Sequence, residues 1–146
     1  MEIDATVDML LAHKASTLWT VGPRTTVFEA IKLMAEKNVG ALLVTEGDKL
    51  VGIISERDYT RNVILKGKSS RETPVKDIIA SSKPIVASPA DKIFECMRVM
   101  TEKRVRHLPV LEDKKVIGIV SIGDLVKSII SDQQFIIDQL VNHIHG

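Results

Sequence analysis

Two serine and aspartate pairs are the residues here whose types and spacing suit ligand chemistry. Gly52-Ile53-Ile54-Ser55-Glu56-Arg57-Asp58 and Gly118-Ile119-Val120-Ser121-Ile122-Gly123-Asp124 lie 66 residues apart. Each sits where an apolar strand pattern gives way to a helical one. A serine hydroxyl beside the unpaired amides of a helix start is a ready anion site. A carboxylate three residues on lies in the first turn, where its two oxygens can accept both hydroxyls of a ribose, as acidic residues do in dinucleotide sites. The same spacing also describes a capping box, with serine as the cap and the acid reaching back to a backbone amide. One copy alone favours capping. Two copies at one phase, each behind a glycine-containing strand, weigh toward a ligand.

These pairs belong to a longer duplication that must position them. Residues 23–61 align without a gap on 89–127, with 15 identities in 39 pairs. Phe28/Phe94, Met34/Met100 and Val39/Val105 are among them, and most other pairs exchange one aliphatic for another, as Val27/Ile93 does. Such self-similarity means that each copy is one supersecondary unit needing a neighbour to bury its apolar face. A single copy would bury only about 60% of its unfolded surface, whereas the pair approaches 70%.

Apolar spacing predicts the order strand, helix, two strands, helix in each copy. In the first, the elements are a strand at Trp19 to Val21, a helix from Thr26 to Asn38, a hairpin of Ala41 to Thr45 and Leu50 to Ile54 around Gly47-Asp48, and a helix from Ser55 to about Lys66. In the second they are Pro84 to Val86, Asp91 to Lys103, Leu108 to Val110 with Val116 to Val120, and a helix from Ser121. A short capped helix near Met9 precedes the first copy, and Val75 to Ala80 reads as a comparable segment before the second. The organisation is therefore 7–67 for the first repeat, 68–74 for a polar linker, 75–130 for the second repeat and 131–146 for a C-terminal helical extension. In that extension Phe135, Ile136, Leu140, Val141 and Ile144 make an apolar face that needs a cover.

Bulk properties narrow the function classes. Among 146 residues, 20 are Lys or Arg and 19 are Asp or Glu, giving a net charge of +1. No basic field exists to draw nucleic acid. Aromatic residues make up only 3%, so the core is aliphatic. The lone Cys96 excludes an internal disulfide, fits a reducing compartment and falls on a helix face that reads as core. No apolar run approaches the roughly 20 residues a bilayer needs. The acidic start, Met1-Glu2-Ile3-Asp4, lacks the pattern of a signal peptide. The expectation is a cytoplasmic protein with no membrane partner.

With these motifs in hand, the sequence resembles a tandem pair of CBS (cystathionine β-synthase) domains, a Bateman module, and in particular the small stand-alone proteins of that family. The resemblance runs from about Val7 to Lys127. It rests on Thr20-Val21-Gly22-Pro23 and Val86-Ala87-Ser88-Pro89, on Val105-Arg106-His107-Leu108-Pro109-Val110, and on Gly-x-x-Ser-x-x-Asp twice. It implies an α/β fold in which two pseudo-two-fold-related units pack through their sheets and leave two clefts for adenosine-containing ligands. AMP, ADP, ATP, S-adenosylmethionine and NAD are the family's usual candidates. Residue by residue, it implies Asp58 and Asp124 as ribose binders with Ser55 and Ser121 beside them. Thr20 and Val21, and Ile85 and Val86, would face the adenine.

Arg106 and His107, on the middle strand of the second copy, would approach the phosphates of the cleft holding Arg57 and Asp58. The matching residues of the first copy, Gly40 and Ala41, bring no charge, and Ile122 and Gly123 replace Glu56 and Arg57. Phosphate needs cationic donors to offset its desolvation. Two unequal sites are expected, the one with Asp58 being better suited to an anion. The resemblance and the apolar tail together imply a homodimer acting on an effector protein that the sequence does not name.

Other motifs carry less. Gly67-Lys68-Ser69 resembles the end of a phosphate-binding loop, but Asn62 stands where the first glycine belongs and the run follows a helix. His143 and His145 are two apart on a helix and share no face. Neither His13 nor His107 has ligand-spaced companions for zinc, and no nucleophile and base can be paired. The reading is a non-enzymatic regulatory module, without metal or catalytic cofactor, that senses AMP, ADP or ATP and modulates a partner or its own assembly. Alternatives are an NAD(H)-binding redox sensor, with Lys66, Lys68 and Arg71 near a second phosphate, and a ligand-free scaffold for protein partners.

Overall fold

The computed structural model describes residues 5–13, 18–80 and 83–145, with side chains up to His143. The start Met1 to Asp4 and the terminal Gly146 lie outside the described residues. The elements are α1 (Val7–His13), β1 (Thr20–Val21), α2 (Val27–Lys37), β2 (Ala41–Glu46), β3 (Lys49–Ser55), α3 (Glu56–Tyr59), α4 (Ile93–Lys103), β4 (His107–Glu112), β5 (Lys115–Ser121) and α5 (Ile122–His145). The architecture is mixed α/β, as expected, with a three-stranded sheet ordered β1-β2-β3 and a two-stranded sheet of β4 and β5.

Two compact units emerge, one of residues 17–86 and 109–119, the other of 1–16, 87–108 and 120–146. In the first, β1 runs parallel to β2, pairing Thr20 with Leu43 and Val21 with Val44. β2 and β3 are antiparallel, with a register shift between Val44 and Thr45. Gly47 takes a φ of +60° in the turn. Glycine at the first central position is what a two-residue hairpin of type II′ requires. The inward residues of α2 (Val27, Ala30, Met34) close over Leu42, Val44 and Ile54, with Val63, Val75 and Ile78 completing the core. A side chain at Gly52 would meet Ile79 Cδ1 at 2.9 Å, so this strand glycine marks a close approach.

In the other unit the buried set is Val7, Leu10, Ala87, Ile93, Cys96, Met100, Leu108, Val120 and Leu125. Cys96 is 3% exposed, as its place in the helical pattern predicts. Burial pushes its thiol up to about 11, with Asp91 and then Glu95 adding to the effect.

Each first helix is held by the segment that precedes the other repeat. Val27 N donates to Thr73 O at 2.9 Å and Val75 N to Thr25 O at 2.8 Å. In the second unit Ile93 N donates to Ala5 O at 3.0 Å and Val7 N to Asp91 O at 2.9 Å. The segments near Met9 and Val75 thus do equivalent jobs in different forms. The first is an α-helix, the second a single 3₁₀ turn over Val75–Asp77.

Two expectations change. Residues Pro84 to Val86 form no strand, and only Ala87 makes an isolated bridge. Pro84 has no amide to donate, and Ile85 and Val86 are exposed, so no burial draws the segment into a ladder. The helix expected from Ser55 to Lys66 is α-helical only through Tyr59 and continues as wide π turns over Thr60–Ile64. Asn62 donates from Nδ2 to Ile78 O at 3.3 Å there, and Gly67, at φ +66°, ends the run. Among the described residues no helix is long and apolar enough to cross a membrane.

Candidate functional site

The local geometry of the two Ser-x-x-Asp turns is nearly the same. At the end of β3, Ser55 N donates to Asp58 Oδ2 at 2.9 Å and Asp58 N donates to Ser55 Oγ at 3.2 Å. At the end of β5, Ser121 N donates to Asp124 Oδ2 at 2.9 Å and Asp124 N to Ser121 Oγ at 3.1 Å. Both are reciprocal capping boxes. The capping account of these residues is therefore present in both repeats.

A further bond consumes part of each helix start. Glu56 N donates to Gly40 O at 3.1 Å, and Ile122 N donates to Arg106 O at 2.9 Å. Of the first three helical amides in each turn, the first and third are thus already satisfied within the chain, which leaves Arg57 N and Gly123 N for an outside acceptor. The anion site is narrower than the sequence suggests. One oxygen of each aspartate lies in the box, and the carboxylates are half-buried. Asp58 Oδ2 also accepts from Ser55 Oγ at 3.0 Å, which fixes the aspartate in one orientation.

The structure groups the expected residues by unit. Thr20, Val21, Ala41, Ser55, Arg57, Asp58, Ile85 and Val86 belong to one, and Arg106, His107, Ser121 and Asp124 to the other. Within the first, the Glu56 bond to Gly40 sets Ala41, on the first residue of β2, beside the Ser55 turn. Within the second, the Ile122 bond to Arg106 sets Arg106 and His107 beside the Ser121 turn. Arg57 and Arg106 are exposed, His107 is half-buried and Ala41 is buried. Thr20 is exposed and Val21 half-buried on β1, while Ile85 and Val86 stand exposed outside any strand.

One candidate pocket was not foreseen. A cavity of about 630 Å³ lies in the second unit between α1 and α5, walled by Met9, Leu10 and His13 on one side and Asp124, Lys127 and Asp132 on the other. Its size falls within the range of small-molecule sites. Of the expected site residues, Asp124 is on its wall. The signal in the sequence was the short capped helix at Val7, but helical spacing does not say which element that helix will face. Among the described residues no group of three or more His, Cys, Asp or Glu could hold a metal ion.

One of the linker-side cations, Arg71, has a structural partner. Arg71 lies over the Phe28 ring, 3.9 Å from its centroid. Such a contact holds a guanidinium without any phosphate nearby.

Comparison with known proteins places this geometry in context. The CBS domain profile matches residues 15–64 and 75–131. A solved CBS-domain protein from Burkholderia ambifaria MC40-6 is 50% identical, with a TM-score of 0.84 over 88% of this chain and 96% of its own. A mitochondrial CBS domain-containing protein of Arabidopsis thaliana is 43% identical over 125 residues, 83% of this chain. The match spans 61% of the plant protein's length. A CBS domain protein from Pyrobaculum aerophilum, solved in complex with AMP, shares the fold at 22% identity, with a TM-score of 0.73 over 82% of this chain and 89% of its own.

Proposed function

This chain belongs to the CBS-domain family, and from that premise we propose that it is a regulatory module binding an adenine nucleotide of the AMP, ADP or ATP class. Occupancy would alter its contacts with an effector protein or with a second copy of itself, without catalysis. The observation that carries this reading is the pair of Ser-x-x-Asp turns, repeated with matching hydrogen bonds at the ends of β3 and β5. The cap engages one oxygen of each carboxylate, and a carboxylate has further lone pairs with which to accept from a ribose hydroxyl. The AMP complex of the Pyrobaculum relative supports the ligand class.

In this proposal Asp58 and Asp124 hold ribose hydroxyls beside Ser55 and Ser121. Thr20, Val21, Ile85 and Val86 contact the base. Arg57, Arg106 and His107 serve the phosphates and Ala41 lines the approach. The first turn carries Arg57 where the second has Gly123, so its helix start is the better anion binder. The repeats are taken as 7–67 and 75–130, with 68–74 as linker and 131–146 as extension, and the setting as cytoplasmic. The contact of Arg71 with Phe28 removes part of the reason for a second phosphate, so the NAD(H) reading is not favoured.

The test is a ligand panel read by thermal shift and calorimetry, using AMP, ATP, NAD(H) and S-adenosylmethionine with the full chain. AMP or ATP should raise the melting temperature by several degrees at a hundredfold excess over Kd, equivalent to about 2.7 kcal/mol. If no adenosyl ligand shifts it at millimolar concentration, the nucleotide reading fails and the scaffold reading stands.

A further inference from the structure

The chain leaving α3 exposes an aliphatic pair that neither the core nor the Ser-x-x-Asp turn uses. Ile64 is 54% exposed and Leu65 74%, the highest value among the large hydrophobics described. Their outward aim is fixed from the opposite side. Val63 is buried in the core and Asn62 is tied to Ile78 O, so the π turns present Arg61, Ile64 and Leu65 to solvent. Gly67 N then donates to Ile64 O at 3.2 Å and Lys68 N to Val63 O at 3.0 Å. These bonds fold the chain back onto the helix end and hold the Lys66 and Lys68 backbone beside the aliphatic pair.

The charge around the pair has one sign. From Tyr59 to Arg71 the sequence holds Arg61, Lys66, Lys68 and Arg71 and no carboxylate. Arg71 is taken up by the Phe28 ring. Arg61, Lys66 and Lys68 are exposed, and none forms an ion pair among the described residues. Cations at a helix C-terminus are favourable by themselves, but that reason does not expose Leu65. The repeat architecture does not ask for the patch either. At the same offset of 66 the second copy has Ile130, Ser131, Asp132 and Gln134 in place of Ile64, Leu65, Lys66 and Lys68.

We propose that this ridge docks an acidic segment of a partner protein, one that sets a bulky apolar side chain among aspartates or glutamates. Ile64 and Leu65 make the anchor contact. Arg61, Lys66 and Lys68 pair with the flanking carboxylates, which selects the partner and speeds the encounter. Exposed Glu56 and Glu72 bracket the run in sequence and limit it to the reach of a short segment. A bilayer or a nucleic acid would bring phosphates against those glutamates as well, and a net charge of +1 gives no long-range pull toward either. The contacts are few, so Kd is on the order of 10–100 μM and rises as salt screens the cations. The ridge includes none of the residues assigned to a nucleotide and acts whether or not one is bound.

The experiment is fluorescence anisotropy of the full chain, without nucleotide, using a labelled peptide that carries a Leu-Phe pair among glutamates. The wild type should bind it, about tenfold more weakly when ionic strength rises from roughly 0.02 to 0.5 M. Replacing the Leu-Phe pair by two alanines should abolish binding. Leu65→Ser should weaken binding about tenfold, and Lys66→Asp with Lys68→Gln should remove most of the salt dependence. Lys49→Asp, at the other end of β3 from Ser55, should bind as the wild type does. Melting temperatures should match throughout, because every replaced side chain is exposed. No binding of the Leu-Phe peptide, or equal weakening by Lys49→Asp, overturns the ridge as a docking site. Tighter binding to phosphatidylglycerol vesicles or to poly-uridine than to the peptide overturns the choice of partner, as does a dimer in light scattering that Leu65→Ser dissolves.

Discussion

In the first repeat, Thr26 caps α2 by accepting from Glu29 N, Asn38 ends that helix at φ 55°, and Gly47 takes the positive φ of the hairpin. At the matching places in the second, Lys92 offers no side-chain cap to α4, Arg104 ends it at φ 56°, and Asp113 and Lys114 stand at φ 52° and 67°. Phe28 has Arg71 over its ring, whereas Phe94 is 50% exposed. The first repeat also has β1, for which the second shows no strand among the described residues. Both copies nevertheless run as a helix followed by a two-stranded hairpin and end in the same Ser-x-x-Asp box. Local signals can therefore be lost in one copy while burial holds the shape. What both retain is the set of inward aliphatics and the capped turn.

If burial is the common cause, the largest test is at its centre. Met34 and Met100 are each 2% exposed at equivalent positions. Met34→Ala and Met100→Ala should each lower unfolding free energy by about 2–5 kcal/mol in urea titrations. Similar losses support one shared construction, and a loss confined to Met34→Ala would show that the second copy is held by something else.

A smaller effect separates the copies by pH. Cys96 stands where the first repeat has Ala30, and its folded pKa of about 11 lies above the usual thiol value of 9.0. A raised folded pKa gives stability that is complete below pH 9 and is lost as pH rises toward 11, up to roughly 2–3 kcal/mol. Melting curves between these values should show that decline in the wild type and less of it in Cys96→Ala. Native Cys96 should also resist a thiol reagent at pH 8 until the protein unfolds.

The smallest effect concerns the second hairpin. A non-glycine residue in the left-handed region costs about 1 kcal/mol or more, so Lys114→Gly should raise stability by about 0.5–1 kcal/mol. The hairpin at Gly47-Asp48 has no such gain to offer at its glycine. A neutral or destabilising result would mean that the Lys114 side chain makes a compensating contact.

These contrasts also explain what was legible in the sequence. The α/β order, both hairpins, the buried Cys96 and the stop at Gly67 follow from period, turn residues and the duplication itself. Val86 was harder: its aliphatic neighbours suggested a strand, yet pairing depends on a neighbouring edge and on burial that Ile85 and Val86 do not obtain. The break of α3 at Tyr59 comes from long-range ties such as Asn62 to Ile78. Helical spacing gives no warning of it. The cavity beside Asp124 was invisible because α1 packs against α5, across more than a hundred residues of sequence.

The most direct measurement is calorimetric titration of AMP into the wild type, Asp58→Asn and Asp124→Asn. Asparagine keeps an oxygen for the cap, so folding should be preserved while a ribose acceptor is weakened. The account predicts two unequal sites in the wild type, with the tighter one lost in Asp58→Asn and the weaker one in Asp124→Asn. Unchanged stoichiometry and affinity in both variants would contradict it and leave the two aspartates as helix caps.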